Sequence, residues 1–151
     1  MDKVNPTGTG YFSLNRKTDH TPGINSVAVG DQTTASGTGS FAEGYHTVAS
    51  GNYSHAEGSG TTASGSDSHA EGDANTSSGI ASHAEGNQTT ASGNYSHAEG
   101  QLNTASNTYS HAEGKLNTAS GNYSHAEGYN TISSGSGSHT EGRFTTANHR
   151  A

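Results

Sequence analysis

The stretch that decides the fold is SHAEGNQTTASGNYSHAEG, residues 82–100, in which the pentapeptide SHAEG occurs twice, 14 residues apart. Laid out in blocks of 14 from Ser26, the chain gives nine units without an insertion. Position 5 of every unit is glycine, position 9 is Thr, Val or Ile, and position 10 is Ala or Ser. A disordered tract has no reason to keep this phase, so we predict a repeat fold over residues 26–151.

The composition excludes an ordinary globular domain, because only 26% of the residues are hydrophobic and 22 are glycine. A period of 14 is too short for a helix-pair repeat. It fits a coil of two short strands and two turns, with glycine at positions 5 and 12 supplying the bends and β-branched residues at position 9 favouring extended backbone. We therefore predict an all-β solenoid of nine 14-residue coils.

Alternation within each strand determines which side chains face outward. Ser and Ala, at positions 1 and 3, must fill the narrow interior, so positions 2 and 4 point outward and form ladders with a spacing of about 4.8 Å. We call the surface formed by these two ladders the His/Glu face. Its predicted members are Val27, Val29, Phe41, Glu43, His55, Glu57, His69, Glu71, His83, Glu85, His97, Glu99, His111, Glu113, His125, Glu127, His139 and Glu141.

The His/Glu face begins with apolar residues and carries glutamates close enough to repel one another. Such a face makes sense if it is covered along its whole length, and a single roll has nothing to cover it with. We therefore expect a homo-oligomer of parallel rods with these ladders between the chains. Histidines held against carboxylates should have raised pKa values, so the assembly should be sturdier at about pH 6 than at about pH 9.

The first unit, SVAVGDQTTASGTG at residues 26–39, resembles the head repeat of trimeric autotransporter adhesins of the YadA type. The SHAEG variant resembles repeats in tail spikes and neck appendages of phages of Gram-positive bacteria, where a self-cleaving chaperone segment often follows; RFTTANHRA is similar to the approach to that junction. The resemblance implies a left-handed parallel β-roll, a homotrimer, and positions 2 and 4 directed at neighbouring chains. His and Glu replace the Val and Ile of the adhesin pattern.

Residues 1–25 do not fit the repeat and are interpreted as a cap or connector, with a short strand within GTGYFSLNRK and a turn signal, TPG, at 21–23. The sequence has no apolar run long enough to span a membrane. Its formal charge of −7 argues against nucleic acid and anionic membranes as partners.

Several other patterns admit a chemical interpretation. Ser, His and Glu adjoin in SHAEG, but Ser and His point to opposite faces, so we predict no catalytic site. His with carboxylate suits a metal, including an ion on a three-fold axis, yet His–Glu pairs satisfy each other without one, and we predict no cofactor. The Thr ladder at position 9 leaves ice binding as an alternative. Tyr95, Tyr109 and Tyr123 share position 14 and are candidates for stacking on a glycan.

Together these features predict a non-enzymatic, trimeric shaft or head of a phage appendage or tail spike that contacts the host surface. The alternative is the head of a bacterial surface adhesin with a protein or glycan receptor. The predicted location is accordingly the virion or the bacterial cell surface. A metal-stabilised or ice-binding solenoid is the third possibility.

Overall fold

The computed structural model describes the backbone of residues 12–14 and all of residues 21–148. Within these residues all regular structure is β, and the strands form two sheets, one of ten strands and one of nine. Successive strands from β2 onward alternate between the sheets, and every pairing is parallel. The chain is therefore a parallel β-solenoid, as predicted.

The longer strands cover positions 2–6 of the unit and form the first sheet. Each residue pairs with the same position of the next coil, as His83 does with His97 and Ala84 with Ala98. The strands of this sheet are β1 (Phe12–Leu14), β2 (Val27–Asp31), β4 (Phe41–Tyr45), β6 (His55–Ser59), β8 (His69–Asp73), β10 (His83–Asn87), β12 (His97–Gln101), β14 (His111–Lys115), β16 (His125–Tyr129) and β18 (His139–Thr140).

The second sheet consists of two-residue strands at positions 9 and 10. The β-branched residue at position 9 points away from the interior and the small residue at position 10 points into it. These strands are β3 (Thr34–Ala35), β5 (Val48–Ala49), β7 (Thr62–Ala63), β9 (Thr76–Ser77), β11 (Thr90–Ala91), β13 (Thr104–Ala105), β15 (Thr118–Ala119), β17 (Ile132–Ser133) and β19 (Thr146–Ala147).

The interior between the sheets holds only small side chains. Alanines at positions 3 and 10 are fully buried from Ala42 to Ala126, and the serines at position 1 are buried from Ser26 to Ser124. The serine hydroxyl closes the turn before its strand: Ser54 Oγ donates to the carbonyl of Gly51 at 2.7 Å. The prediction that the small residues face inward and His and Glu face outward is confirmed.

Position 8 contributes a buried polar ladder of Thr and Asn. Asn117 donates from Nδ2 to the carbonyls of Glu113 and Gly128, and its Oδ1 accepts from the backbone N–H of Thr131 at 2.8 Å. Asn75 and Asn103 make equivalent bonds to the carbonyls of the following coil. The polar interior is stable because these amides use both their donors and their acceptors.

The turns differ from the sequence prediction, which placed the bends at the glycines of positions 5 and 12. Left-handed backbone occurs at position 5, where φ is between 97° and 123°, but also at positions 7 and 14. There it is adopted by residues such as Leu102 (φ 58°) and Tyr95 (φ 57°). The glycine at position 12 is needed for space instead, since a Cβ on Gly51 would lie 1.9 Å from the carbonyl oxygen of Gly65.

At the N-terminal end, β1 confirms the predicted short strand and pairs in parallel with β2, so it adds one strand before the first coil. Ser26 Oγ donates to the carbonyl of Gly23, and Asn25 has a φ of 57°. Gly23 to Asn25 thus already have the geometry of positions 12–14. The remainder of the predicted cap or connector and the last residues of RFTTANHRA, 149–151, lie outside the described residues.

Candidate interaction face of histidine and glutamate ladders

The imidazoles of the His/Glu face form a continuous stack. From His55 to His139, neighbouring ring centroids lie 4.7–4.9 Å apart and the ring planes differ by 3–8°. Phe41 lies at the N-terminal end of the stack, with its ring centroid 5.0 Å from that of His55 and its plane tilted by 49°. The parallel register imposes this arrangement, because it places identical residues one strand spacing apart.

From Glu43 to Glu99 each glutamate lies close to the histidine of the following coil, whereas Glu113 and Glu127 lie 3.6 Å from the histidine of their own coil. His83 Nε2 is 3.1 Å from Glu71 Oε1, and His97 Nε2 is 3.4 Å from Glu85 Oε1. The side chains in these pairs keep 33–41% of their surface exposed. Histidine and glutamate therefore pair within a single chain, and the pairing between chains that the sequence analysis expects stays a prediction.

Near the C-terminal end of the face, the pKa values of two histidines are lowered. Burial and the neighbouring His97 lower the pKa of His111, and the carboxylates of Glu113 and Glu127 only partly counteract this. Burial and the charges of His111 and His139 likewise lower the pKa of His125. The prediction of raised histidine pKa values is wrong for His111 and His125, because burial and the like charges of the stacked imidazoles outweigh the carboxylates.

The pKa of the Glu85 carboxylate is also lowered, which for an acid favours the charged form. Burial alone raises its pKa, but a side-chain contact with Glu99 and the charges of His83 and His97 lower it further than burial raises it. The net lowering means that the contact with Glu99, together with the flanking imidazoles, stabilises the ionised form of Glu85.

In five places, two histidines of successive coils and a glutamate each offer a ligand atom within 4.8 Å of one another. We call these the two-histidine clusters. They are His55–Glu57–His69, His69–Glu71–His83, His97–Glu99–His111, His111–Glu113–His125 and His125–Glu127–His139. Imidazole nitrogen and carboxylate oxygen are ligands of zinc and related ions.

The serine and histidine of SHAEG point to opposite sides of the strand. Ser54 is 1% exposed and its hydroxyl is engaged by a backbone carbonyl, whereas the adjacent His55 lies on the outer face. A nucleophile and its base must be within hydrogen-bond reach of each other. The serine in this motif is therefore a turn-closing residue and cannot be activated by its neighbour.

The three tyrosines at position 14 also stack. The ring centroid of Tyr109 lies 5.0 Å from that of Tyr95 and 5.2 Å from that of Tyr123, with planes 10° apart. All three side chains are at least half exposed. Because both faces of Tyr109 are covered by its neighbours, a sugar ring can stack only on the outer faces of Tyr95 and Tyr123.

Sequence reasoning missed the opposite edge of the roll. Position 7 exposes Leu102 and Leu116 in consecutive coils, and Phe144 two coils later is 60% exposed. The signal was present in the sequence as apolar residues recurring at position 7. The repeat pattern places the bends at glycines, so it does not identify position 7 as an exposed apolar position.

At the N-terminal end of the face, Val27, Val29 and Phe41 are half-buried and occupy the places of His and Glu. The ladder therefore changes from apolar to ionisable along one continuous surface.

No helix that could span a membrane occurs among the residues that the structure describes.

The parallel roll of 14-residue coils, with small residues inside and a continuous ladder face outside, defines the chain as a parallel β-solenoid. Residues 22–47, 42–68 and 56–74 match the family model of the YadA head domain repeat. The chain thus carries YadA-like head repeats, and the same coil geometry continues through residue 148. No curated protein shows significant similarity to the chain.

Proposed function

We propose that the chain is the non-enzymatic head of a trimeric surface adhesin, with three rolls packed through their His/Glu faces. The observation that carries this proposal is the YadA head repeat over residues 22–74, which continues in unbroken register along the solenoid. The function of such a head is to present a binding surface on a rigid support.

The physical support comes from the His/Glu face itself. Its side chains are about two-thirds covered in one chain, and its first members, Val27, Val29 and Phe41, are apolar. The interior contains no side chain larger than Asn among the fully buried residues that the structure describes. A roll with so little apolar burial gains stability from packing against copies of itself.

The proposed location is the bacterial cell surface, and the proposed partner is a protein or glycan receptor. Exposed aromatic residues on the two edges of the roll, among them Tyr95 and Tyr123, are suited to that contact. The phage appendage predicted from SHAEG stays a prediction, because the matched family is that of an adhesin head.

The decisive experiment is multi-angle light scattering of the purified full chain after size-exclusion chromatography, over a hundredfold range of concentration. We expect a mass three times the 15.3 kDa of one chain. A mass of one chain at all concentrations would refute the assembly.

Attachment is tested separately with beads that display the assembled protein, on arrays of extracellular-matrix proteins and glycans. We expect binding to at least one receptor class above the level of albumin-coated beads. Binding no greater than that of the albumin control on every surface would refute the adhesin role while leaving the trimer untouched.

A further inference from the structure

Four imidazole nitrogens of the His/Glu face are covered and make no hydrogen bond, although a carboxylate oxygen lies within 4.0 Å of each. The Nε2 atoms of His55, His69, His97 and His125 are buried and make no hydrogen bond to any residue that the structure describes. Buried polar atoms in folded proteins normally have a partner. Since these atoms have almost no accessible surface in a single chain, any partner, whether a neighbouring chain or an ion, reaches them only when the side chains move.

A small ligand within the face itself fits this situation, and the two-histidine clusters offer the donors for it. Two imidazoles and one carboxylate are a recurrent ligand set for Zn²⁺, and the same donors suit Ni²⁺ and Co²⁺. Mg²⁺ prefers oxygen ligands only and is not expected to bind here.

One carboxylate oxygen and one imidazole nitrogen already lie at about the separation that a shared ion requires. Two atoms bound to one tetrahedral ion at about 2.1 Å lie about 3.4 Å apart. In the clusters centred on Glu57 and Glu99, the carboxylate oxygen is 3.5 Å from His69 Nε2 and 3.4 Å from His111 Nε2. An ion beside each pair would therefore bind both atoms with little movement.

The second imidazole must move toward the first. A tetrahedral ion also requires the two imidazole nitrogens to lie about 3.4 Å apart, and the centroids of successive rings are 4.7–4.9 Å apart. The two rings must therefore tilt toward each other at one end to bring their nitrogens together. The face is open enough for such a tilt, because about a third of each side chain is exposed.

We propose that the His/Glu face binds divalent transition-metal ions, with Zn²⁺ the best match, through pairs of histidines from successive coils and the glutamate between them. The clusters share histidines: His69, His111 and His125 each belong to two. If each imidazole serves one ion, at most three clusters can be filled at once. The site needs only one chain and does not rest on the proposed trimer.

The test is equilibrium dialysis of the EDTA-treated full chain against Zn²⁺ at about pH 7.5, with the metal quantified by mass spectrometry. We expect three ions per chain at micromolar free Zn²⁺, a raised melting temperature, and no uptake of Mg²⁺. The informative pair of variants is Glu99→Gln and Glu85→Gln, which alter the same ladder position in adjacent coils.

Glu99 belongs to a two-histidine cluster and Glu85 does not. Glu99→Gln should lower the capacity from three ions to two, because the remaining clusters near it share histidines, whereas Glu85→Gln should retain three. His46→Gln, at an exposed turn outside the His/Glu face, should also retain three. Circular dichroism establishes that each variant is folded.

Two outcomes would overturn the proposal. One is the absence of Zn²⁺ uptake by the wild-type chain at micromolar free metal. The other is an equal loss of capacity in Glu99→Gln and Glu85→Gln, which would mean that the ions respond to the total charge of the ladder and occupy no defined cluster.

Discussion

His83 Nε2 lies 3.1 Å from Oε1 of Glu71, which belongs to the preceding coil of the same chain. This pairing recurs from Glu57 to Glu99, so these carboxylates have imidazole partners within one roll. A neighbouring chain is therefore not required to supply partners for them. What it contributes in the proposed trimer is burial of the half-covered face.

The lowered histidine pKa values predict that the metal-free chain loses stability on acidification. The pKa values of folded His111 and His125 lie below the 6.5 of an unperturbed histidine. Between the folded and unfolded values, the unfolded chain therefore binds more protons, and a falling pH favours unfolding. These contributions are complete above about pH 6.5 and are lost as the pH falls through the folded values.

This prediction is checked by urea denaturation at fixed protein concentration, in the presence of EDTA, from about pH 5 to pH 8. The free energy of unfolding should rise with pH over this range and level off near its upper end. The variant with both His111→Gln and His125→Gln should show a shallower rise. Greater stability at the acidic end would contradict the assignment and would restore the expectation based on sequence.

The buried amide of Asn117 predicts a large difference between two substitutions of similar size. Asn117→Val removes the donors to the carbonyls of Glu113 and Gly128 and the acceptor for Thr131, so we expect a loss of about 2–4 kcal/mol. Asn117→Thr should cost about 1 kcal/mol, since Thr61 fills the same position and bonds the carbonyl of Glu57. Chemical denaturation measures both; equal losses would show that volume alone matters there.

The arrangement of the ladders could be predicted from the sequence because a solenoid leaves few alternatives. Once the period is fixed at 14 and the coil must be narrow, Ala84 can only face inward and His83 and Glu85 can only face outward. Parallel stacking then follows, because each coil can pair only with the coils on either side of it.

The turn geometry and the charge state of the face could not be predicted in this way. Leu102 adopts a left-handed conformation because its N–H donates to the carbonyl of Asn87 in the preceding coil, and the local sequence carries no sign of this. The lowered pKa of His111 depends on burial and on the neighbouring imidazole, and neither can be quantified from the amino-acid sequence.

Gly86 and Gly60 both have left-handed backbone, but we expect them to tolerate substitution by alanine very differently. A Cβ on Gly86 would lie 2.1 Å from the carbonyl oxygen of Gly100, whereas the nearest atom to a Cβ on Gly60 is 3.8 Å away. Gly60→Ala should cost only the strain of its φ, about 1 kcal/mol, and Gly86→Ala about 4 kcal/mol or more. Thermal unfolding compares the two, and similar melting temperatures would mean that the coils can separate locally to admit a methyl group.

The apolar start of the His/Glu face predicts a selective effect on assembly. Phe41→Asp places a charge where the proposed trimer buries an aromatic ring, so we expect at least a tenfold weaker association, equivalent to about 1.4 kcal/mol. The matched control is Tyr53→Asp, because Tyr53 is 67% exposed on the edge of the same coil and has a φ of 55° that Asp tolerates.

Sedimentation equilibrium of the two variants and the wild-type chain distinguishes the possibilities. Dissociation of Phe41→Asp alone locates the contact between chains on the His/Glu face. Equal dissociation of both variants, or of Tyr53→Asp alone, would move that contact to the edge of the roll. The His/Glu face would then be open to solvent, because nothing in its internal pairing requires a second chain.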